Sequence, residues 1–300
     1  MRKVWERELF FLCYYIVGGN MKTTSVNSFD QTLKYKLYRT VYEIIHPTIS
    51  KKNISSYRIV FNDEVLPVRV FYPKRVSNIS RVIIYVPGVA EVTGCLGEYA
   101  EICKNIAHET EELVVALDLD DIDNSSYLEV FDWCYKSFMY LKLELEKLGI
   151  LDSDITLMGD SIGASAILGL VRKSEVKSKL VLFYPVVSAD CLKRNAKEGD
   201  SLVVKKLKQF YKGHLRDKKL LTNEFIFPDC NKEYKYDNDM LFIVGNADPL
   251  KREILEYLER INDNDRIKLL ELEFCGHGFL NEMDEFLLNE VSGKIIEFLK

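Results

Sequence analysis

The feature that most constrains the fold is a regular alternation of short apolar runs with segments of helical periodicity, from about residue 81 onward. Runs such as Arg81–Val86 and Leu113–Leu117 are almost continuously apolar, which is typical of strands buried on both faces. Between strands, apolar side chains recur every three or four residues, most clearly from Phe131 to Leu148, and Gly149 predicts the end of that helix. Alternating strands and helices predict a mostly parallel sheet covered on both faces by helices.

The same reasoning places the other elements. Two strands, Tyr57–Phe61 and Leu66–Tyr72, are predicted around a turn before the alternation begins. A polar, lysine-rich stretch at residues 188–239 interrupts the alternation. The remaining predicted strands are Ile155–Met158, Lys179–Tyr184, Leu241–Val244 and Ile267–Phe274, and a final helix is predicted near Met283–Leu299.

Composition narrows the functional classes. Hydrophobic residues make up 47% and charged residues 29% of the chain, as in ordinary globular proteins. The formal net charge is −5, which argues against nucleic acid as the main partner because phosphate binding needs a basic face. The chain has four histidines and seven cysteines without a C-x-x-C pair, so no metal site is expected. We expect reduced, buried cysteines and therefore a cytoplasmic location.

The apolar run Leu9–Val17 raises the question of membrane targeting. It is too short to span a bilayer, and Glu6 and Glu8 stand where a signal peptide carries positive charge. We expect an N-terminal helix that packs on the body of the protein and ends at Gly18-Gly19-Asn20, with a signal peptide as the alternative. No stable membrane insertion is expected.

The segment Gly159-Asp160-Ser161-Ile162-Gly163 lies between a predicted buried strand and a predicted helix. In such a strand-to-helix turn the serine is strained and its hydroxyl is exposed, and side chains at the positions of Gly159 and Gly163 would clash. The helix that follows offers free N–H groups and a positive dipole end. This context favours a nucleophile elbow over an ordinary glycine-rich turn. Asp160 is expected to point away from Ser161 and to hold neighbouring loops.

A nucleophilic serine needs a base, and His277 is the favoured candidate. It lies between Gly276 and Gly278 just after the last predicted strand, where it is free to reach over the sheet edge. The alternative reading is a surface-loop histidine. His214 falls in the polar stretch, where a solvated role is the better prediction.

The base in turn needs an orienting carboxylate, which in this type of fold comes between the serine and the histidine in the chain. Asp248 follows the predicted strand Leu241–Val244 and is the favoured candidate. The alternative is that Asp248 caps the next helix, because Pro249 would then occupy the first helical position.

Three blocks resemble the hormone-sensitive-lipase group of α/β-hydrolases, in its carboxylesterase branch: Gly159-Asp160-Ser161, Asp248-Pro249-Leu250 and His277-Gly278-Phe279. The similarity extends from about residue 57 to the end. It implies an α/β-hydrolase fold with a small helical cap. The cap pieces would be residues 1–50 and the insertion at residues 188–239, on a core of residues 51–300.

One block departs from the family pattern. Where the family has H-G-G-G after its third strand, this chain has Pro87-Gly88-Val89-Ala90. Pro87 has no N–H to donate, and Gly88 is expected to form the turn. The backbone N–H groups of Val89 and Ala90, together with that of Ile162, are therefore the candidates for an oxyanion hole.

These residues predict a serine hydrolase that cleaves a carboxylic ester of a small or medium acyl group without a cofactor or metal. A peptidase or amidase on the same fold is the first alternative. A non-catalytic ligand-binding member is the second, and the altered oxyanion block favours it. The expected partner is a small-molecule ester, and the sequence is compatible with a homo-oligomer.

Overall fold

The computed structural model describes residues 54–61, 64–74, 79–88, 95–117, 127–193, 202–215, 217–261, 265–281 and 283–300. Its strands are β1 (Ile54–Phe61), β2 (Glu64–Phe71), β3 (Val82–Val86), β4 (Leu113–Leu117), β5 (Ile155–Asp160), β6 (Lys179–Phe183), β7 (Met240–Gly245) and β8 (Ile267–Leu272). Its helices are α1 (Cys95–Thr110), α2 (Tyr127–Glu146), α3 (Ser161–Ser174), α4 (Asp190–Lys193), α5 (Leu202–His214), α6 (Lys251–Ile261) and α7 (Glu285–Leu299).

The described strands form one sheet in the order β1-β2-β4-β3-β5-β6-β7-β8. The hairpin β1–β2 and the pair β2–β4 are antiparallel, and every pairing from β4 to β8 is parallel. The predicted mostly parallel sheet is therefore confirmed. Because β3 to β8 run in the same direction, their carboxyl ends meet at one edge, where the predicted site residues lie.

Side chains alternate between the two faces of each strand, and strands β3 to β7 are buried on both faces, whereas β8 is partly exposed. In β3, Ile83 and Tyr85 pack in a core layer with α1 and α7, whereas Val82, Ile84 and Val86 pack on the opposite face with α2, α3 and α6. The helices predicted for both faces are thus confirmed. This double packing makes the sheet a rigid base for the loops at its carboxyl edge.

Two strands end earlier than their apolar pattern predicts. The predicted strand through Tyr184 stops at Phe183, and the strand predicted through Phe274 stops at Leu272. Tyr184 and Phe274 adopt φ values of +36° and +59°, which no strand accommodates. Backbone conformation, not hydrophobicity, sets both boundaries.

The predicted insertion contains α4, α5 and short 3₁₀ helices, and it packs against α2 and α3. The ring of Tyr211 on α5 lies 5.7 Å from that of Tyr127 on α2, and the Phe225 and Phe131 rings stack at 6.0 Å. That this segment is a cap stays a prediction, and residues 1–50 lie outside the described part of the chain. Among the described helices, none is both long and apolar enough to cross a membrane.

Five cysteines have described side chains, and all five are free thiols: Cys103, Cys134, Cys191, Cys230 and Cys275. Four are buried as predicted, but Cys230, the last residue of a short 3₁₀ helix within the insertion, is exposed. The expectation that all the cysteines are buried is therefore wrong at this position. The cytoplasmic location stays a prediction.

Candidate active site

Ser161 occupies a strained turn between β5 and α3. Its φ is +49°, a left-handed value that is uncommon outside glycine, while Asp160 before it is still extended. The backbone of β3 passes so close that a Cβ at Gly159 would meet the Val86 carbonyl oxygen at 2.5 Å, and one at Gly163 would meet it at 2.2 Å. Crowding by a neighbouring strand is thus the reason for glycine on both sides of the serine.

Asp160 ties this turn to the loop that follows β3. Its buried carboxylate accepts hydrogen bonds from the Tyr85 hydroxyl at 2.7 Å and from the Gly88 N–H at 2.8 Å. A Cβ at Gly88 would lie 2.5 Å from the other carboxylate oxygen and 3.0 Å from the Ser161 Cβ. The sequence predicts that Gly88 forms the turn after β3. The structure shows a second reason for glycine at this position, because the loops after β3 and β5 are in contact there and leave no room for a side chain.

The loop after β6 also contacts the turn. The Val186 N–H donates to the Ser161 carbonyl at 3.3 Å, and the Ser165 hydroxyl donates to the Val186 carbonyl at 2.7 Å. Loops from three adjacent strands, β3, β5 and β6, therefore hold the serine in place.

The structure brings Ser161, His277 and Asp248 into one hydrogen-bonded chain. Ser161 Oγ lies 2.8 Å from His277 Nε2, and His277 Nδ1 lies 2.9 Å from Asp248 Oδ2. A neutral imidazole that donates its Nδ1 proton to the carboxylate leaves Nε2 free to accept the serine proton. The Asp248 side chain is fully buried and that of His277 is 7% exposed, so water competes little for these contacts.

Asp248 also caps the turn before α6. Its second oxygen, Oδ1, accepts the Leu250 N–H at 2.7 Å, so one carboxylate holds both this turn and the histidine. Helix α6 begins at Lys251, so Pro249 is not its first residue, as the capping alternative had it. The loops after β7 and β8 are in close contact, since the Ala247 N–H donates to the Cys275 carbonyl at 2.9 Å. A Cβ at Gly245 would lie 2.1 Å from that carbonyl oxygen, so this glycine permits the approach.

Ile162 is the second residue of α3, so its N–H has no acceptor within the helix and is available at the serine. Val89 and Ala90 lie outside the described residues, and their predicted part in an oxyanion hole stays a prediction. His214 is the last residue of α5, and its side chain is not described. Within the described residues, no group of three or more His, Cys, Asp and Glu side chains has the arrangement of a metal site.

Comparison with known sequences identifies the family of the chain. A profile of the alpha/beta hydrolase fold family matches residues 83–281, which run from the second residue of β3 through β8 and include all three hydrogen-bonded side chains. The chain belongs to the α/β-hydrolase fold family, in its hormone-sensitive-lipase-like branch.

Individual relatives of this α/β-hydrolase include esterases. Human arylacetamide deacetylase-like 4 is 31% identical over 134 residues, which are 42% of this chain and 33% of that protein, so the match spans a third of the relative's length. The ethyl acetate hydrolase of Pseudomonas putida is 22% identical over 207 residues, 65% of each chain. A thermophilic carboxylesterase from a metagenomic library is similar in structure, with a TM-score of 0.70, 20% identity and coverage of 90% of this chain and 98% of that one. At that identity the likeness shows the fold alone.

Sequence reasoning missed several residues that shape the site. Tyr85 places the one hydroxyl group in an otherwise aliphatic strand, and that could have marked it as a partner for Asp160. Ser165 and Gly245 carried no such signal. Tyr184, whose ring centroid lies 4.8 Å from that of His277, was predicted only as the last residue of a strand.

Proposed function

We propose that this protein is a serine hydrolase that cleaves a carboxylic ester of a small or medium acyl group. The observation that carries the proposal is the continuous hydrogen-bonded chain from Ser161 Oγ through the His277 imidazole to the buried Asp248 carboxylate. Three polar side chains from three different strand ends meet at one edge of an apolar sheet, which is the arrangement that nucleophilic catalysis needs.

In the proposed reaction, Ser161 Oγ attacks the ester carbonyl while His277 Nε2 takes its proton. The tetrahedral intermediate then expels the alcohol, which receives that proton from His277, and an acyl-enzyme remains. Water attacks the acyl carbonyl with His277 again as the base, and the acid is released. Asp248 holds the imidazole in the required tautomer and stabilises the imidazolium.

The developing oxyanion would be bound by backbone N–H groups. The Ile162 N–H at the start of α3 is one donor, supported by its place at the positive end of the helix. The N–H of Val89 or Ala90 is the second donor in this proposal. The bond from Gly88 N–H to Asp160 supports it, because it fixes the residue that leads into this loop beside Ser161.

An ester is the favoured substrate because two of the proteins compared are named as a hydrolase of ethyl acetate and as a carboxylesterase. An amide is the second candidate, since the human relative is named for an arylacetamide deacetylase. We infer that the acyl group of either substrate is small or medium in size.

The test compares the native protein with Ser161→Ala on p-nitrophenyl acetate, butyrate and octanoate, and on p-nitroacetanilide. We expect hydrolysis of the short esters by the native protein and a loss of at least about 1,000-fold in Ser161→Ala. Its melting temperature should stay close to native, because the half-buried hydroxyl bonds the His277 ring and adds little to the core. A fluorophosphonate should label the native protein at Ser161.

The matched control is Ser174→Ala, since Ser174 is the last residue of the same helix and its hydroxyl bonds only the Leu170 carbonyl among the contacts described. This variant should keep native activity. Native protein that neither hydrolyses these substrates nor reacts with fluorophosphonate would contradict the proposal and favour a non-catalytic binding protein. Faster turnover of the anilide than of the esters would favour the amide instead.

A further inference from the structure

The two glycines that flank His277 leave its backbone without side-chain packing on either side. A Cβ at Gly276 or at Gly278 would meet nothing within 4 Å, and Gly278 has a φ of +81°. Glycine residues that border open space offer few contacts to hold a loop. The orientation of the His277 ring therefore depends on what its side chain touches.

Two hydrogen bonds alone do not fix that orientation. Both ring nitrogens of His277 are used, one with Ser161 and one with Asp248. The imidazole can rock about the line that joins its two nitrogens while both bonds persist, and this rocking changes the angle at which Nε2 meets the serine proton. A contact away from that line is needed to hold the ring.

Tyr184 supplies such a contact. Its ring centroid lies 4.8 Å from that of His277 with 55° between the planes, a distance typical of packed aromatic rings. The same tyrosine ring packs edge-to-face on Phe279 at 4.8 Å. One buried side chain thus contacts the loop at the histidine and again two residues later.

The backbone of Tyr184 is unusual in a way that serves this contact. Successive residues of a strand face opposite sides, yet Phe183 and Tyr184 both belong to the core layer on the α1 and α7 side. The left-handed φ of +36° at Tyr184 turns its side chain to the same face as Phe183, and its N–H is held by the Ile243 carbonyl at 2.9 Å. Such a conformation is strained for a bulky residue and persists only where the surroundings enforce it.

We infer that Tyr184 is a positioning residue, whose ring holds the His277 imidazole at the angle at which Nε2 faces Ser161. The inference rests on the proposed function, in which His277 is the base. The contact is made by the ring and not by the hydroxyl. We therefore expect the loss of the buried ring at position 184 to lower kcat and to leave KM unchanged.

The experiment measures kcat and KM for p-nitrophenyl acetate, and the rate of fluorophosphonate labelling of Ser161, in Tyr184→Phe, Tyr184→Leu and Tyr184→Met. Tyr184→Phe should stay within about threefold of native, whereas Leu and Met should lower kcat and the labelling rate about 10- to 100-fold with KM within about twofold. Tyr184→Met keeps most of the buried side-chain volume. It is compared with the native protein if Tyr184→Leu does not fold.

The matched control is Phe183→Leu. Phe183 is equally buried and its ring packs on those of Tyr184 and Phe279, with no ring contact to His277 among those described. The Phe183→Leu change should lower the melting temperature. It should leave kcat within about threefold of native, because the His277 imidazole still contacts the Tyr184 ring.

Equal losses of kcat in Phe183→Leu and Tyr184→Met would overturn the inference, as would native kcat in Tyr184→Met or an effect confined to KM. Native protein that is inactive and unlabelled would instead contradict the proposed function, and the inference with it. If the native protein is active and the Tyr184 variants keep its kcat, the inference about Tyr184 is wrong but the proposed function is not contradicted.

Discussion

At the scale of single residues, one carboxylate in this protein serves two partners. Oδ2 of Asp248 is hydrogen-bonded to Nδ1 of His277, and Oδ1 accepts the Leu250 N–H. The side chain of Asp248 is fully buried. A buried carboxylate is costly unless its oxygens are hydrogen-bonded, and here both are. The carboxylate is therefore held rigidly by the turn that it caps.

Asp248→Asn is expected to separate the two roles. The amide oxygen can still accept the Leu250 N–H, so the melting temperature should change little. An amide group that faces Nδ1 with its NH₂ favours the wrong imidazole tautomer, so kcat should fall by about 1,000- to 10,000-fold. Ester hydrolysis and thermal unfolding measure the two effects.

Asp284→Asn is the control, because Asp284 accepts the Leu287 N–H at the start of α7 with no site contact among those described. It should leave kcat at the native value. Native-like turnover in Asp248→Asn would rule out the orienting role.

At the scale of elements, the approach of α3 to β3 governs the serine turn. A Cβ at Gly163 would lie 2.2 Å from the Val86 carbonyl oxygen and 2.4 Å from that of Pro87. Both are backbone atoms of the strand and loop that also bear Gly88, so they cannot move aside without moving the loop beside Ser161. The fit of helix to strand is therefore part of the site.

Gly163→Ala is expected to destabilise the fold by about 2 kcal/mol or more, because the methyl group overpacks rigid backbone. Gly293→Ala is the matched change in α7, where a Cβ would meet nothing within 4 Å. It should stabilise by about 0.5–1 kcal/mol through helix propensity. Urea unfolding of both variants measures the difference, and similar stabilities would contradict the steric account.

Arg172 joins the far end of α3 to the insertion. Its side chain is 4% exposed. The guanidinium donates to the carbonyls of Glu224 and Pro228 and to the Glu224 carboxylate, and it lies 4.4 Å from the centre of the Tyr234 ring. A planar group with several donors suits these acceptors, which an ammonium group cannot reproduce. Burial of Tyr236, which receives a further bond from Arg172, raises the pKa of its hydroxyl to about 12.

Arg172→Met should therefore destabilise the protein by about 3 kcal/mol, since it leaves buried acceptors unpaired. Arg172→Lys should recover only part of the loss. Arg252→Met is the control: that side chain is 72% exposed and pairs with Glu256 on the helix surface, so the change should stay within about 0.5 kcal/mol. Equal urea midpoints for the Arg172 and Arg252 variants would refute the anchoring role.

At the scale of the whole molecule, the double-layered core shields most of the thiols. Cys103, Cys134, Cys191 and Cys275 are buried, whereas Cys230 is exposed in the insertion. Partial burial of the thiol is the main cause that raises the pKa of Cys230, and the negative charge of Asp229 raises it further. The reactive thiolate is therefore scarce near neutral pH even at this accessible position.

Maleimide labelling followed by peptide mapping should modify Cys230 first among these five cysteines. Its rate should be slow at pH 7 and rise through pH 9, because deprotonation is delayed by the raised pKa. The four buried thiols should react only on unfolding in urea. Labelling of Cys134 in the folded protein at the rate of Cys230 would contradict the described core.

Much of the architecture is readable from local sequence, because burial on two faces leaves continuous apolar runs and helices leave a three-to-four period. β3, β4 and α2 were predicted within a few residues for this reason. Ser161, Asp248 and His277 could be named because each follows a parallel strand, and the carboxyl ends of such strands meet at one edge although 116 residues separate the serine from the histidine.

Other features were decided only by tertiary structure. Three of these features depend on where the atoms of a neighbouring strand lie. They are the left-handed turn that brings the Tyr184 ring against His277, the hydrogen bond from Tyr85 to Asp160, and the loop contact at Gly88. Strands β3 and β5 are adjacent in the sheet although α1, β4 and α2 lie between them in the chain, so their contacts leave no periodic pattern in the sequence. The sequence by itself determined which side chains stand at the carboxyl edge of the sheet, and only the packing of adjacent strands decided how they are held there.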